Sequence, residues 1–168
     1  LDGVIAGMSM NLGGGNIDVH IIDYMAENYN LSIGAVTAER IKNTVGSLFP
    51  GDDKVMMVDG RDATTGTPAT VTVRTTNIYE VLILYVDKII EYVSLIISKL
   101  PSEVSSSIIH SGVFLSGGLC KMDGIAEYFS EKLGITINTF DEPQLAAVIG
   151  AGTIISSEHF KNKAATQN

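Results

Sequence analysis

With 168 residues, 45% of them hydrophobic and 18% charged, the chain is long and apolar enough to bury a core, and its composition excludes intrinsic disorder. A formal net charge of −8, with 11 Lys and Arg scattered along the chain, excludes the basic patches that nucleic acid or an anionic membrane surface would require. The one cysteine, Cys120, cannot form an internal disulfide, which points to a reducing, cytoplasmic setting.

The chain opens on Leu1 rather than Met and runs straight into apolar residues, which reads as a piece of something longer. Residues 4–12 predict a strand interrupted by Gly7, with Asp2 and Gly3 as the tip of a hairpin before it. Ile17, Ile21, Met25 and Tyr29 recur every four residues and predict an amphipathic helix over 16–28. A second helix is expected over 36–48, with Ile41, Val45 and Leu48 as its apolar stripe and Pro50-Gly51 as its stop. Residues 54–59 and 69–74 read as paired strands around a long Gly- and Thr-rich loop, 60–68. Asn77, with Glu80 three residues on, is the expected cap of a long helix reaching Lys99 and stopped by Pro101. Its 78–97 core is very apolar, yet Glu80, Asp87, Lys88 and Glu91 argue for a buried central helix and against a membrane span. A polar connector (102–107), a strand (112–116), a Gly117-Gly118 turn, a helix (123–133) closed by Gly134, a strand (135–138) and a last helix opened by Pro143 follow; the tail from Ser157 is polar. Strands alternating with helices predict an α/β architecture.

Two short constellations could carry chemistry. Glu39 and Lys42 are three apart and share a helical face, away from the apolar stripe. A carboxylate there can accept from ribose hydroxyls and an ammonium can sit beside a base, but a solvated surface pair fits the same spacing. Gly117-Gly118 follows a strand and precedes a helix, so backbone can approach a ligand there, or simply turn. Gly13-Gly14-Gly15-Asn16 imitates a phosphate-cradling loop, but a helical period begins where a strand should continue, so it is read as a strand-to-helix turn. No Walker-type loop occurs. His20, His110 and His159 have no metal-ligand spacing, and Cys120 has no base partner in sequence. No catalytic residue and no metal ligand is assigned.

Taken in order, these segments resemble the MreB family, bacterial actin-like proteins that determine rod shape. Residues 12–18 resemble the family's Gly-Gly-Asp-x-x-Asp segment, and 37–42 match its Thr-Ala-Glu-Arg-Ile-Lys helix. The loops at 50–52 and 60–68, the Leu115 to Gly118 turn and the closing 143–152 helix resemble later family segments. The 60–68 loop favours MreB over the Hsp70 and actin branches.

The resemblance implies an actin-like or Hsp70-like ATPase lobe, the C-terminal half of the full fold. A larger ribonuclease H-like subdomain would occupy 1–32 and 76–156, a smaller inserted α+β subdomain 33–75, and a polar tail 157–168. It implies an adenosine-binding side of a cleft for ATP or ADP with Mg, formed by Gly13, Gly14, Glu39, Arg40, Lys42, Gly117, Gly118 and Leu119. Glu39 and Lys42 would hold ribose and adenine; Gly117 and Gly118 would lie under the adenosine and α-phosphate. The phosphate loops, the catalytic glutamate and the membrane-touching elements would all precede Leu1. The piece alone is therefore expected not to hydrolyse ATP, while the intact protein would be a slow ATPase. It would form filaments by self-association, with cell-shape and wall-synthesis machinery as further partners, in the cytoplasm at the membrane. Two departures stand out. Gly15 replaces the family's Asp, and Leu119 replaces a third glycine. They motivate a nucleotide-independent structural paralogue as one alternative; an Hsp70-like chaperone lobe is the other.

Overall fold

The structure is a computed structural model that describes residues 4–156. The Asp2-Gly3 tip and the tail from Ser157 lie outside the described residues. Among the described residues, six helices and five strands follow in the order α1 (Gly14–Tyr29), β1 (Leu31–Ser32), α2 (Ala35–Val45), β2 (Val55–Asp62), β3 (Pro68–Arg74), α3 (Thr75–Ser98), α4 (Ser102–Ser111), β4 (Val113–Leu115), α5 (Ile125–Leu133), β5 (Ile137–Thr139) and α6 (Ala146–Ser156). A 3-10 turn, Gly118–Lys121, lies between β4 and α5.

The predicted stripes are buried with two differences: Tyr29 is only half-buried, and α2 ends at Val45 with Gly46 as its cap, short of Pro50-Gly51, so that Leu48 is buried in the segment beyond the helix. Ile17, Ile21 and Met25 of α1 are fully buried, as are Ala38, Ile41 and Val45 of α2. They meet Val58 and Val73 of the hairpin, Ile78, Leu82 and Val86 of α3, and Ile125 and Phe129 of α5 in one core cluster. β2 and β3 form the expected antiparallel pair, in register from Val55 opposite Arg74 to Arg61 opposite Pro68, and β1 adds a short third strand. β4 and β5 pair in parallel.

Four further expectations are corrected. Residues 4–12 form no strand: no described strand lies beside them to complete a ladder, and an unpaired extended segment gains nothing from its backbone groups. Residues 102–107 are not a connector but the first part of α4, which starts directly after Pro101, a residue suited to a helix entrance. α3 begins at Thr75, earlier than Asn77; Asn77 caps from inside the first turn, its Oδ1 accepting the Arg74 N–H at 2.8 Å. Finally, α3 is not buried all round: Ile78, Leu82, Tyr85, Val86 and Ile90 face the core, while Leu84, Tyr92 and Leu95 are exposed. No helix among the described residues is long and apolar enough to cross a membrane.

Candidate functional site

Three separate stretches converge on one cavity of about 680 Å³, a size suited to a small organic ligand. The first is the glycine entrance to α1. Gly13 is extended and caps the helix, its N–H donating to Asn16 Oδ1 at 2.9 Å, and Gly14 and Gly15 line the cavity. The second is one face of α2, carrying Glu39, Lys42 and Asn43. The third is the turn after β4, where Gly118, Leu119, Lys121 and Asp123 contribute. Gly117 takes φ +104°, a conformation that glycine adopts readily, and its N–H donates to the Pro143 carbonyl at 2.8 Å. That bond ties the turn to the approach to α6, and Gln144 enters the cavity wall beside it.

Lys42 is not a surface residue. Its Nζ reaches from α2 to α1, donating to Asp18 Oδ1 at 2.7 Å and to the Gly14 carbonyl at 3.0 Å. The two side chains are only 9% and 13% exposed. The expected Glu39 and Lys42 pair is thus split: Glu39 stays exposed at the cavity while Lys42 is spent largely on α1. Asp123 of the cavity wall pairs with Lys54, and that bond holds the Lys54 ammonium pKa above its ordinary value against the opposing effect of burial. Glu39 and Lys121 make no ion pair among the described residues, which leaves one carboxylate and one ammonium of the lining available to a ligand.

Of the residues singled out from sequence, Gly14, Glu39, Lys42, Gly118 and Leu119 line the cavity. Gly13, Arg40 and Gly117 do not; Gly13 and Gly117 set the turns from behind, and Arg40 is exposed beyond the lining. Asn43 was overlooked although it lies one helical turn beyond Glu39, a spacing that could have found it. Asp18 falls within the 12–18 segment, but nothing in the sequence alone marks it as the partner of Lys42. Asp123 and Gln144 carry no local signal, since only the tertiary fold brings them here.

The cavity wall is bare backbone in two places. A Cβ at Gly15 or Gly118 would meet no protein atom within 4 Å, so bare backbone faces open space at both. Leu119 is half-buried and packs on the core cluster, which reduces the bulk it presents to the cavity. Among the described residues, no group of three or more His, Cys, Asp or Glu could hold a metal ion.

The architecture defines the class: half of an actin-like ATPase fold. The crystal structure of MreB 5 of Spiroplasma citri bound to AMPPNP superposes with a TM-score of 0.90 at 24% identity, over 99% of this chain and 50% of that one. A MamK double helical filament superposes at 0.76 with 18% identity, over 92% and 49%. In sequence, the family described as MreB/Mbl protein matches residues 1–163, and the chain belongs to that family. It is 33% identical over 153 residues to the cell shape-determining protein MreB of Escherichia coli K12, covering 90% of this chain and 44% of that protein. It is 31% identical over 155 residues to the cell shape-determining protein Mbl of Bacillus cereus, covering 92% and 46%. The chain therefore spans a little under half the length of these relatives. They favour the MreB reading over an Hsp70-like lobe.

Proposed function

We propose that this chain is the C-terminal half of an actin-like cytoskeletal protein whose ATP-dependent filaments direct cell shape and wall synthesis. The observation that carries the reading is the convergence of the α1 glycines, the Glu39 face of α2 and the Gly118-Leu119 turn on one cavity. The names of the relatives, cell shape-determining proteins and a filament, support it.

In this reading the cavity takes the adenosine side of ATP or ADP. The exposed Glu39 carboxylate accepts from ribose hydroxyls, the backbone at Gly118 lies under the adenosine and α-phosphate, and Lys121 supplies positive charge near the entrance. Magnesium would come with the phosphates, as is usual where the protein builds no cage of its own. The larger subdomain comprises 1–32 and 76–156 and the smaller one 33–75, to whose sheet β1 adds an edge strand. A second copy of the protein is the principal partner, and the wall-synthesis machinery a further one. Hydrolysis belongs to the intact protein.

Nucleotide binding and polymer sedimentation by the full-length protein test this together. Glu39→Ala should weaken ATP binding by about tenfold to a hundredfold, the effect of losing one hydrogen bond to a charged group. Equal pelleting with and without ATP, together with unchanged affinity in Glu39→Ala, would overturn the proposal.

A further inference from the structure

Lys42 is the one buried Lys or Arg among the described residues. Burying an ammonium is unfavourable unless it is paired and its donors are satisfied. Here Asp18 Oδ1 and the Gly14 carbonyl take two of its three N–H groups. Its position beside the first turn of α1 makes the requirement stricter, because the positive end of a helix repels a cation. The Asp18 carboxylate, one turn into the same helix, offsets that repulsion. Gly14 is matched to the arrangement as well: a Cβ there would stand 3.0 Å from Nζ, so the ammonium would have to give by a few tenths of an ångström. What the link holds is not simply α2 against α1, since apolar contacts of Ile17, Ile21, Ala38 and Ile41 already do that. It holds the carbonyl of a glycine turn that lines the cavity.

We infer that Asp18 is a positioning residue for the nucleotide, acting through Lys42 to fix the 13–15 turn at the height where its backbone faces the ligand. This rests on the nucleotide reading of the cavity. Lys42 lines that cavity too, so the same carboxylate sets the direction of the ammonium's remaining N–H.

The test is equilibrium binding of ATP and of ADP to the full-length protein carrying Asp18→Asn, Lys42→Met or both, with thermal midpoints measured without nucleotide. Each single change should weaken binding at least about tenfold, and the double variant should be no weaker than the worse single variant to within about threefold, because both act through one link. Ile21→Val, a core change on the same helix, lowers the midpoint and should leave affinity unchanged, which separates positioning from stability. Gly14→Ala keeps both charges and should weaken binding by crowding; it decides the matter if Asp18→Asn fails to fold. Affinity within twofold of wild type in Asp18→Asn, or in Gly14→Ala where that variant decides, overturns the inference, as does multiplication of the two single losses in the double variant. Wild-type protein that binds neither nucleotide overturns the functional reading and this inference together, whereas wild-type binding with unaffected variants overturns this inference alone.

Discussion

The Asp62 carboxylate organises the tip of the β2–β3 hairpin. Its Oδ1 accepts the Thr64 N–H at 2.9 Å, the Thr65 N–H at 2.7 Å and the Thr65 hydroxyl at 3.0 Å, while Oδ2 accepts from Asn30 Nδ2 at 3.0 Å. These donors, the Thr65 N–H foremost, hold its pKa below the ordinary aspartate value. A depressed folded pKa contributes stability that is present above the unfolded value and is lost as pH falls through the folded one. The Thr64 and Thr65 amide resonances should therefore keep their positions as pH drops through the usual carboxylate range and shift only below it; Asp62→Asn should move them at neutral pH. Burial acts the other way on Cys120, raising its thiol pKa, so alkylation by iodoacetamide at neutral pH should be slower than for a free thiol. At this scale the sequence was least legible. Thr65 and Asp62 are near neighbours, but Lys42 and Asp18 are 24 residues apart, and only the packing of two helices reveals that the ammonium turns inward.

At the scale of elements, periodicity carried most of the information. The four-residue recurrence from Ile17 to Tyr29 and the Ile41-Val45 stripe specify two amphipathic helices, and the structure buries Ile17, Ile21, Met25, Ile41 and Val45 while leaving Tyr29 half-buried. Ile41→Ala should accordingly cost about 2–5 kcal/mol in a denaturant titration, the usual range for emptying a sealed site. A helix records its own hydrogen bonds in local sequence, whereas a strand depends on a neighbour. This is why the apolar residues 4–12 read as a strand and yet form none, and why the two-residue β1, defined only by Leu31 opposite Asp62 and Ser32 opposite Arg61, gave no signal. In α4 the serines masked a helix, because Ser competes for backbone hydrogen bonds and favours turns. Tyr128, on α5, donates its hydroxyl to Asp87 of α3 at 2.8 Å. Tyr128→Phe should lower stability by about 1 kcal/mol, measured by thermal unfolding, since it removes one part-buried hydrogen bond.

Across the whole molecule, α1, α2, the hairpin, α3 and α5 share one core, and the order of family-like segments was enough to place the chain in an actin-like class. Where the segments after α2 and before α5 meet, the backbone forms a small seam. Ser47 bridges Asp123 in parallel, and the Leu48 N–H donates to the Asp123 carbonyl at 2.7 Å. Beside it Gly124 takes φ +77°, and a Cβ there would stand 2.5 Å from the Phe49 nitrogen. The seam joins Ser47 to a partner 76 residues away along the chain, so it gathers little help from local structure. Segments of that kind open to solvent in sub-global fluctuations before the helices around them melt. The Leu48 amide is thus a natural clock for the parting of α5 from α2. Its proton should exchange into heavy water faster than that of Ile21, and faster still in Gly124→Ala.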